Sequence, residues 1–336
     1  MLQSTYYLRD RSGYGMDPLS DVLSLLQVSG YMSGGFDASG DLSIQFPKYE
    51  GIKFHAVFSG QCWLAIEGLS EPVQIRAGDC FLLASGRPFQ VSSKPGWPPV
   101  HFASIQSAAH DGGIISYNGG GDYFSIGGYF HLVDTHANVL LGVLPPLVLI
   151  RKESDKKVLR WCLDRMRQEL REPQPGGAIV GQQLATMVLV QVLRLHLADG
   201  LKNEANWLFA LGDRQMAAAI KAMHRDPAYR WTLQSLAEQA GMSRTVFTLK
   251  FKKTVGSSAM EYLTRWRMLL AADKLKNSAD SISEIASSLG YESESAFSTA
   301  FKRVMLCSPR QYSSAAKVSS KNVSAVINDF AWLTST

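Results

Sequence analysis

Residues 231–253 read WTLQSLAEQAGMSRTVFTLKFKK, and residues 281–303 read SISEIASSLGYESESAFSTAFKR. The two stretches carry one pattern. Each has a small residue in its first apolar segment, Ala237 or Ala286, and a glycine four residues later, Gly241 or Gly290. Each then continues as Phe-x-x-x-Phe-Lys: Phe247, Phe251 and Lys252, then Phe297, Phe301 and Lys302. A helix-turn-helix packs two short helices steeply across a turn of three or four residues. The spacing predicts the alanines where the second helix crosses the first. It predicts the glycines at the turn, where a positive φ is cheap only for Gly. Ser243 and Ser293 are suitable N-caps for the helices that follow. Phenylalanines four apart anchor one helix face and leave the opposite face free for a groove.

Ala237 to Ala286 is 49 residues, whereas Phe247 to Phe297 is 50, so the second turn is one residue longer. Between the copies, Ser258 to Asn277 carries Tyr262, Leu263, Trp266, Leu269, Leu270 and Leu275 on a helical stripe. A helix of about 20 residues is roughly 30 Å long, close to the roughly 34 Å of one B-DNA turn. Two reading heads in successive major grooves of double-stranded DNA are therefore expected within one chain. Away from the phenylalanines, the first recognition helix presents Arg244, Thr245, Thr248 and Leu249 as base readers. The second presents Glu294, Ser295, Ser298 and Thr299. The alternative for each is a solvent-facing residue that only lies near DNA. Lys250, Lys252, Lys253, Lys302, Arg303 and Arg310 are expected at phosphates, where each contact adds to the salt dependence.

Charge placement agrees with that reading. Residues 1–150 hold 7 Lys/Arg against 12 Asp/Glu, and residues 151–336 hold 27 against 17. A basic C-terminal half on an acidic N-terminal half fits a nucleic-acid-binding module joined to something else. With 46% hydrophobic and 19% charged residues, the 336-residue chain has the composition of an ordered globular protein, long enough for two domains. No uninterrupted apolar run approaches 20 residues, so no membrane span is expected. Met1 to Gly15 is polar and aromatic, unlike a secretory signal. The four cysteines, Cys62, Cys80, Cys162 and Cys307, lack CxxC spacing, so reduced thiols in the cytoplasm are expected.

The N-terminal half reads as β. Asp17-Pro18-Leu19 opens a short helical pattern through Leu26, and from Gly30 to about Gln106 short apolar runs are cut by Gly, Pro, Asp and Ser. Strand candidates are 54–58, 62–66, 73–75, 80–84 and 89–92, a spacing that suggests a barrel or jelly roll. The glycine-rich 111–129 reads as loops around a strand. Residues 158–170 and 179–197 read as helices, the second apolar enough to be buried in its own domain or in a dimer interface. His55 and His101 are each isolated, so no metal site or cofactor is expected. His55, Trp63, Phe81 and Phe89 are candidates to line an effector pocket, the alternative being a filled core. Cys62 and Cys80 fall on neighbouring strand candidates, either as a redox pair or as buried inert thiols.

Together these motifs resemble the AraC/XylS family of bacterial transcription regulators. The C-terminal resemblance rests on Leu236-Ala237, Ala240-Gly241-Met242-Ser243, Arg267-Met268, Ile285-Ala286, Gly290-Tyr291, Phe301-Lys302-Arg303 and Ser308-Pro309. The N-terminal part resembles the cupin-type sensor of one branch, through Phe54-His55, Cys62-Trp63-Leu64, Ala77-Gly78-Asp79, Gly127-Gly128-Tyr129-Phe130 and Leu144-Pro145-Pro146. Leu249 and Thr299 depart from the family, which often places a base-reading Arg there. Apolar contacts, thymine methyls or DNA shape would carry more of the readout. The family pattern turns Arg267 inward, as a structural partner or a DNA contact.

The expected architecture is α+β and multidomain. It comprises a flexible extension over 1–16, a cupin-like β-barrel sensor over 17–150 and a helical self-association segment over 151–205. An all-α double helix-turn-helix domain over 206–313 and a tail over 314–336 complete it. The resemblance implies a regulator, more often an activator, that contacts RNA polymerase. The cupin-like domain is expected to sense a small effector or to mediate dimerisation, and a homodimer is expected. The rival readings are a cupin-fold enzyme with an accessory helical domain and a regulator working mainly through protein contacts.

Overall fold

The computed structural model describes residues 17–26, 28–105, 110–111, 113–131, 144–199 and 206–314. The extension expected over 1–16, residues 200–205 at the end of the expected helical segment, and the tail from 315 onward lie outside the described residues. The chain divides into two compact units, Leu26–Lys202 and a second that joins Met1–Leu25 to Asn203–Thr336.

The chain's first described helix, α1 (Pro18–Leu25), starts with the Asp17 carboxylate accepting from the Leu19 and Ser20 amides, both at 3.1 Å. Pro18 at the first helical position needs no N–H there. This helix packs on helices of the C-terminal unit, whereas the sequence pattern groups it with the sensor from residue 17.

In the unit Leu26–Lys202, the described strands are β1 (Ser29–Ala38), β2 (Ser43–Phe46), β3 (Ile52–Ser59), β4 (Gln61–Ile66), β5 (Val73–Arg76) and β6 (Cys80–Leu83). They continue with β7 (Phe89–Ser92), β8 (Val100–His101), β9 (His110–Asp111), β10 (Ile114–Tyr117), β11 (Tyr123–His131) and β12 (Leu147–Ile150). A short α2 (Phe102–Ile105) follows β8. The strands form two sheets, ordered β12-β6-β3-β11-β1-β10-β9 and β5-β4-β7-β2-β8. Alternation along β4 sends Cys62, Leu64 and Ile66 to the space between the sheets, where they meet Ile44, Phe81 and Phe89.

The expected barrel is corrected to an open two-sheet sandwich. Among the described residues no ladder joins one sheet to the other. At the β12 and β5 edges a side chain takes the place of a ladder: the Arg151 guanidinium, just past β12, donates to the Gln74 carbonyl on β5. Nearby, Asp79 is buried and its carboxylate meets Lys156 at 3.2 Å and Arg151 at 3.4 Å.

Lys156 lies in the first turn of the helical layer, which comprises α3 (Glu153–Arg171) and α4 (Gly177–Asp199). Helix α4 covers β1: a β-carbon on Gly30 would come within 2.9 Å of the Ala185 methyl. The segment Gly177–Ala198 is long and apolar enough to cross a membrane by length and composition. Its Leu184, Ala185, Val188, Leu189, Val192 and Leu193 are buried within the unit, whereas Ile179, Val180 and Met187 are exposed.

The second unit is helical: α5 (Trp207–Ala210), α6 (Arg214–Arg225), α7 (Leu233–Gln239), α8 (Arg244–Val255), α9 (Ala259–Asn277), α10 (Ile282–Ser288) and α11 (Glu294–Met305). Helices α7 and α8 make the first helix-turn-helix, and α10 and α11 the second. The 19-residue α9 connects them and is about 28 Å long. Phe247, Phe251, Phe297 and Phe301 are fully buried, each contributing about 1.5–3 kcal/mol of transfer free energy.

Candidate nucleic-acid interface

Each head is built from the same caps. Thr232 accepts from the Ser235 amide at 3.1 Å to start α7, and Ser281 accepts from the Glu284 amide at 3.2 Å to start α10. The Glu284 carboxylate accepts from the Ser281 amide in return, at 2.7 Å. Hydrogen bonding by Ser281 holds the Glu284 carboxyl below its ordinary pKa. Ser243 and Ser293 cap the recognition helices α8 and α11 by accepting from Val246 and Ala296. Such caps are worth about 1 kcal/mol each. At the turns, the Met242 amide donates to Ala237 at 2.9 Å and the Tyr291 amide to Ala286 at 3.0 Å. Gly241 and Gly290 take φ of 63° and 78°. Ala237 and Ala286 are buried at the crossings. The residue that lengthens the second turn is Glu292, which pairs with Arg230 ahead of the first head.

Exposure repeats residue for residue from Arg244–Met260 to Glu294–Arg310. Arg244, Thr245 and Leu249 are exposed on α8, as are Glu294, Ser295 and Thr299 on α11. Thr248 and Ser298 are half-buried, and the Thr248 hydroxyl donates to the Arg244 carbonyl at 2.8 Å. Sequence reasoning missed Val246, which is 52% exposed beside Leu249 at 69%. Their three-residue spacing on a helix that buries only its phenylalanine face was the available signal.

Among the expected phosphate ligands, Lys252, Lys253, Lys302, Arg303 and Arg310 are exposed. Lys250 is not free: its ammonium lies 2.6 Å from Asp213 and 2.9 Å from Gln215 Oε1, inside the domain. Burial would raise the Asp213 carboxyl, but hydrogen bonds from Lys250 and from the Met216 and Gln215 amides bring it below its ordinary value. Arg267 is also committed internally. It donates to the Pro227 carbonyl at 2.7 Å and the Tyr229 carbonyl at 3.0 Å and lies over the Tyr291 ring. The loop before the first head, the connecting helix and the second turn thereby hold one another.

In the unit Leu26–Lys202 a cavity of about 260 Å³ opens between the sheets. Of the four candidate lining residues, His55 and Phe81 face it. Phe89 is buried just outside, edge-on to the His55 ring at 6.0 Å. Trp63 alternates with the core residues of β4 and points to the outer face of the five-stranded sheet, so it is withdrawn from the pocket. The missed lining residues include Lys53, Phe36, Phe46 and Tyr123. Lys53 lies one residue ahead of the strand expected over 54–58, which the structure extends to Ile52–Ser59 and so places Lys53 on the same face as His55.

Cys62 and Cys80 stand on β4 and β6, in different sheets, not on paired neighbouring strands. Burial pushes the Cys62 thiol up to about 11 and the Cys80 thiol up to about 12, so both resist forming the reactive thiolate. Among the described residues no three or more His, Cys, Asp or Glu side chains converge as a metal site.

Comparison with known proteins gives two matching family models, one described as a cupin over residues 17–198 and one as a helix-turn-helix domain over residues 236–315. An AraC-like transcription regulator of Streptomyces lividans is 39% identical over 298 residues, spanning 88% of this chain and 98% of its own. The transcriptional regulator AlkR of Acinetobacter baylyi is 28% identical over 308 residues, spanning 88% of this chain and 99% of its own. The DNA-binding domain of AdpA, solved in complex with a target DNA, is 28% identical over 30% of this chain and 92% of that one, with a TM-score of 0.30. The chain belongs to the AraC family of transcription regulators, with an N-terminal cupin domain and a C-terminal helix-turn-helix domain.

Proposed function

We propose that this regulator reads double-stranded DNA with α8 and α11 as two heads in successive major grooves. The observation that carries the reading is the repeated exposure of Arg244–Met260 and Glu294–Arg310, which offers the same face of both helices. Arg244, Thr245, Leu249 and Val246 read bases from the first head, and Glu294, Ser295 and Thr299 from the second. Thr248 and Ser298 sit at the margin of each face. Val246 and Leu249 suit thymine methyl groups, the apolar feature of the major groove. Lys252, Lys253, Lys302, Arg303 and Arg310 neutralise phosphates.

The protein acts as a cytoplasmic activator that contacts RNA polymerase, with no chemistry of its own. The cavity between the sheets takes a small effector that biases the heads through its differential affinity for two states. Self-association is supported by Trp161 and Ile179, apolar side chains 64% and 66% exposed on α3 and α4.

The test is titration of the full-length protein against fragments from its own genomic neighbourhood, with random duplex as competitor, at two salt concentrations. Selective binding that weakens steeply with salt is expected. Equal binding to every fragment overturns the base-reading role and favours a regulator working through protein contacts.

A further inference from the structure

The cavity between the sheets contains two nitrogen groups that the fold leaves short of partners. Lys53 and His55 are two residues apart on β3, so both leave the strand on the face turned toward the second sheet. The Lys53 ammonium sits 5.0 Å from the Tyr49 ring centroid, 5.4 Å from that of Phe89 and 5.5 Å from that of Phe46. Among the described residues no carboxylate pairs with it. Burial lowers its pKa, the expected response of a cation that has lost water without gaining an anion.

His55 is held from both sides. It pairs in register with Phe81 on β6 and Gly127 on β11, and its ring stacks on Phe81 at 5.1 Å. A β-carbon at position 127 would lie 3.1 Å from the imidazole, so the glycine makes room for the ring. Burial first, and the Lys53 charge second, push its pKa down to about 3, so the ring is neutral in ordinary buffers. Among the described residues its buried Nε2 has no hydrogen-bond partner. An orphaned ring nitrogen and an unpaired ammonium are both costly to the extent that burial removes water from them.

The remaining walls say what kind of body would fill the space. Phe36, Phe46, Phe81, Val91 and Phe102 are apolar, and among the described residues no Asp or Glu lines the cavity. A neutral ligand would leave the ammonium uncompensated, and a cationic ligand would meet a like charge. One group answers both nitrogens: a carboxylate accepts from an ammonium and from an imidazole N–H, and charge-assisted bonds of this kind are the strong ones. We infer that the cavity binds a small organic carboxylate with an aromatic or aliphatic body, its carboxylate facing Lys53 and Nε2 of His55. The inference rests on the reading of this cavity as an effector site and adds the ligand's chemical class.

The experiment is calorimetric titration of the full-length protein with phenylacetate and hexanoate, each against its neutral amide. Both acids are expected to bind at least about tenfold more tightly than their amides. Lys53→Met should abolish that preference, and Lys53→Arg, which keeps the charge, should retain it. Equal binding of acids and amides overturns the anionic class while leaving the cavity as an effector site. Binding of none of the four overturns both. A preference for the acids that survives Lys53→Met overturns the assignment of the carboxylate to Lys53.

Discussion

The Asp21 carboxylate lies 3.1 Å from Nδ1 of His224, joining residues 203 apart in sequence. The other ring nitrogen is 2.8 Å from the Tyr262 hydroxyl, and the imidazole lies flat on Trp266 at 3.7 Å and 3°. Burial, with Asp21 adding to it, raises the Tyr262 pKa and keeps the hydroxyl protonated. With a ring proton on Nδ1 only, Nδ1–H donates to Asp21 and Tyr262 donates to Nε2. Helix α1 is thereby tied to α6 and α9 by a polar contact inside a packed core. Asp21→Ala removes the acceptor and leaves its buried donor without this partner, at a cost of about 1–3 kcal/mol. Denaturant unfolding of the full chain checks this: the midpoint of the helical unit should fall, with the slope unchanged. An unchanged midpoint would mean that α1 is not anchored by this contact.

Two left-handed positions predict opposite effects of substitution. Helix α8 ends on Gly256 at φ 82°, but α11 ends at the equivalent place on Leu306 at φ 62°, which is 86% exposed. A leucine side chain there is strained against its own backbone and buries nothing in return. Leu306→Gly should raise stability by about 1 kcal/mol, read as a melting temperature higher by about 4 °C for a domain of this size. Gly290 is the converse case, since a β-carbon there would lie 2.3 Å from the Ala228 carbonyl oxygen, whereas one at Gly241 meets open space. Gly290→Ala should therefore cost about 3 kcal/mol and Gly241→Ala about 1 kcal/mol. Equal losses would show that conformation alone, without the close approach, sets both.

The helical half was legible because its signals are local. Caps, turn glycines and phenylalanines four apart act within one or two helical turns, so Ser243, Gly241 and Phe247 announce their roles in order. The sandwich was less legible because its decisive contacts are long-range. Gly127 and Gly128 read as loop, yet they sit in the central strand β11, where a β-carbon at 128 would strike the Phe54 ring at 2.1 Å. Glycine marks close approach there, which only the register of β3 against β11 reveals. Trp63 reads as a pocket aromatic by type, and only strand alternation sends it outward. Lys250 reads as a phosphate ligand until folding brings Asp213 to it.

That last pairing separates two classes of lysine on one helix. Lys252 and Lys253 are exposed at the end of α8, whereas Lys250 is bonded to Asp213, the residue that caps α6 through the Gln215 and Met216 amides. Replacing Lys252 or Lys253 with Gln should lower affinity for every duplex alike and reduce the slope of log K against log salt by about 0.9 for each phosphate no longer neutralised. Lys250→Gln should leave that slope unchanged, because the charge removed was already neutralised within the protein. It should instead lower the unfolding midpoint of the helical unit by weakening the tie between α6 and α8. Titrations of the three variants at several salt concentrations, paired with denaturant curves, give both readings. A reduced slope for Lys250→Gln would show that the ammonium leaves Asp213 for a phosphate when DNA binds.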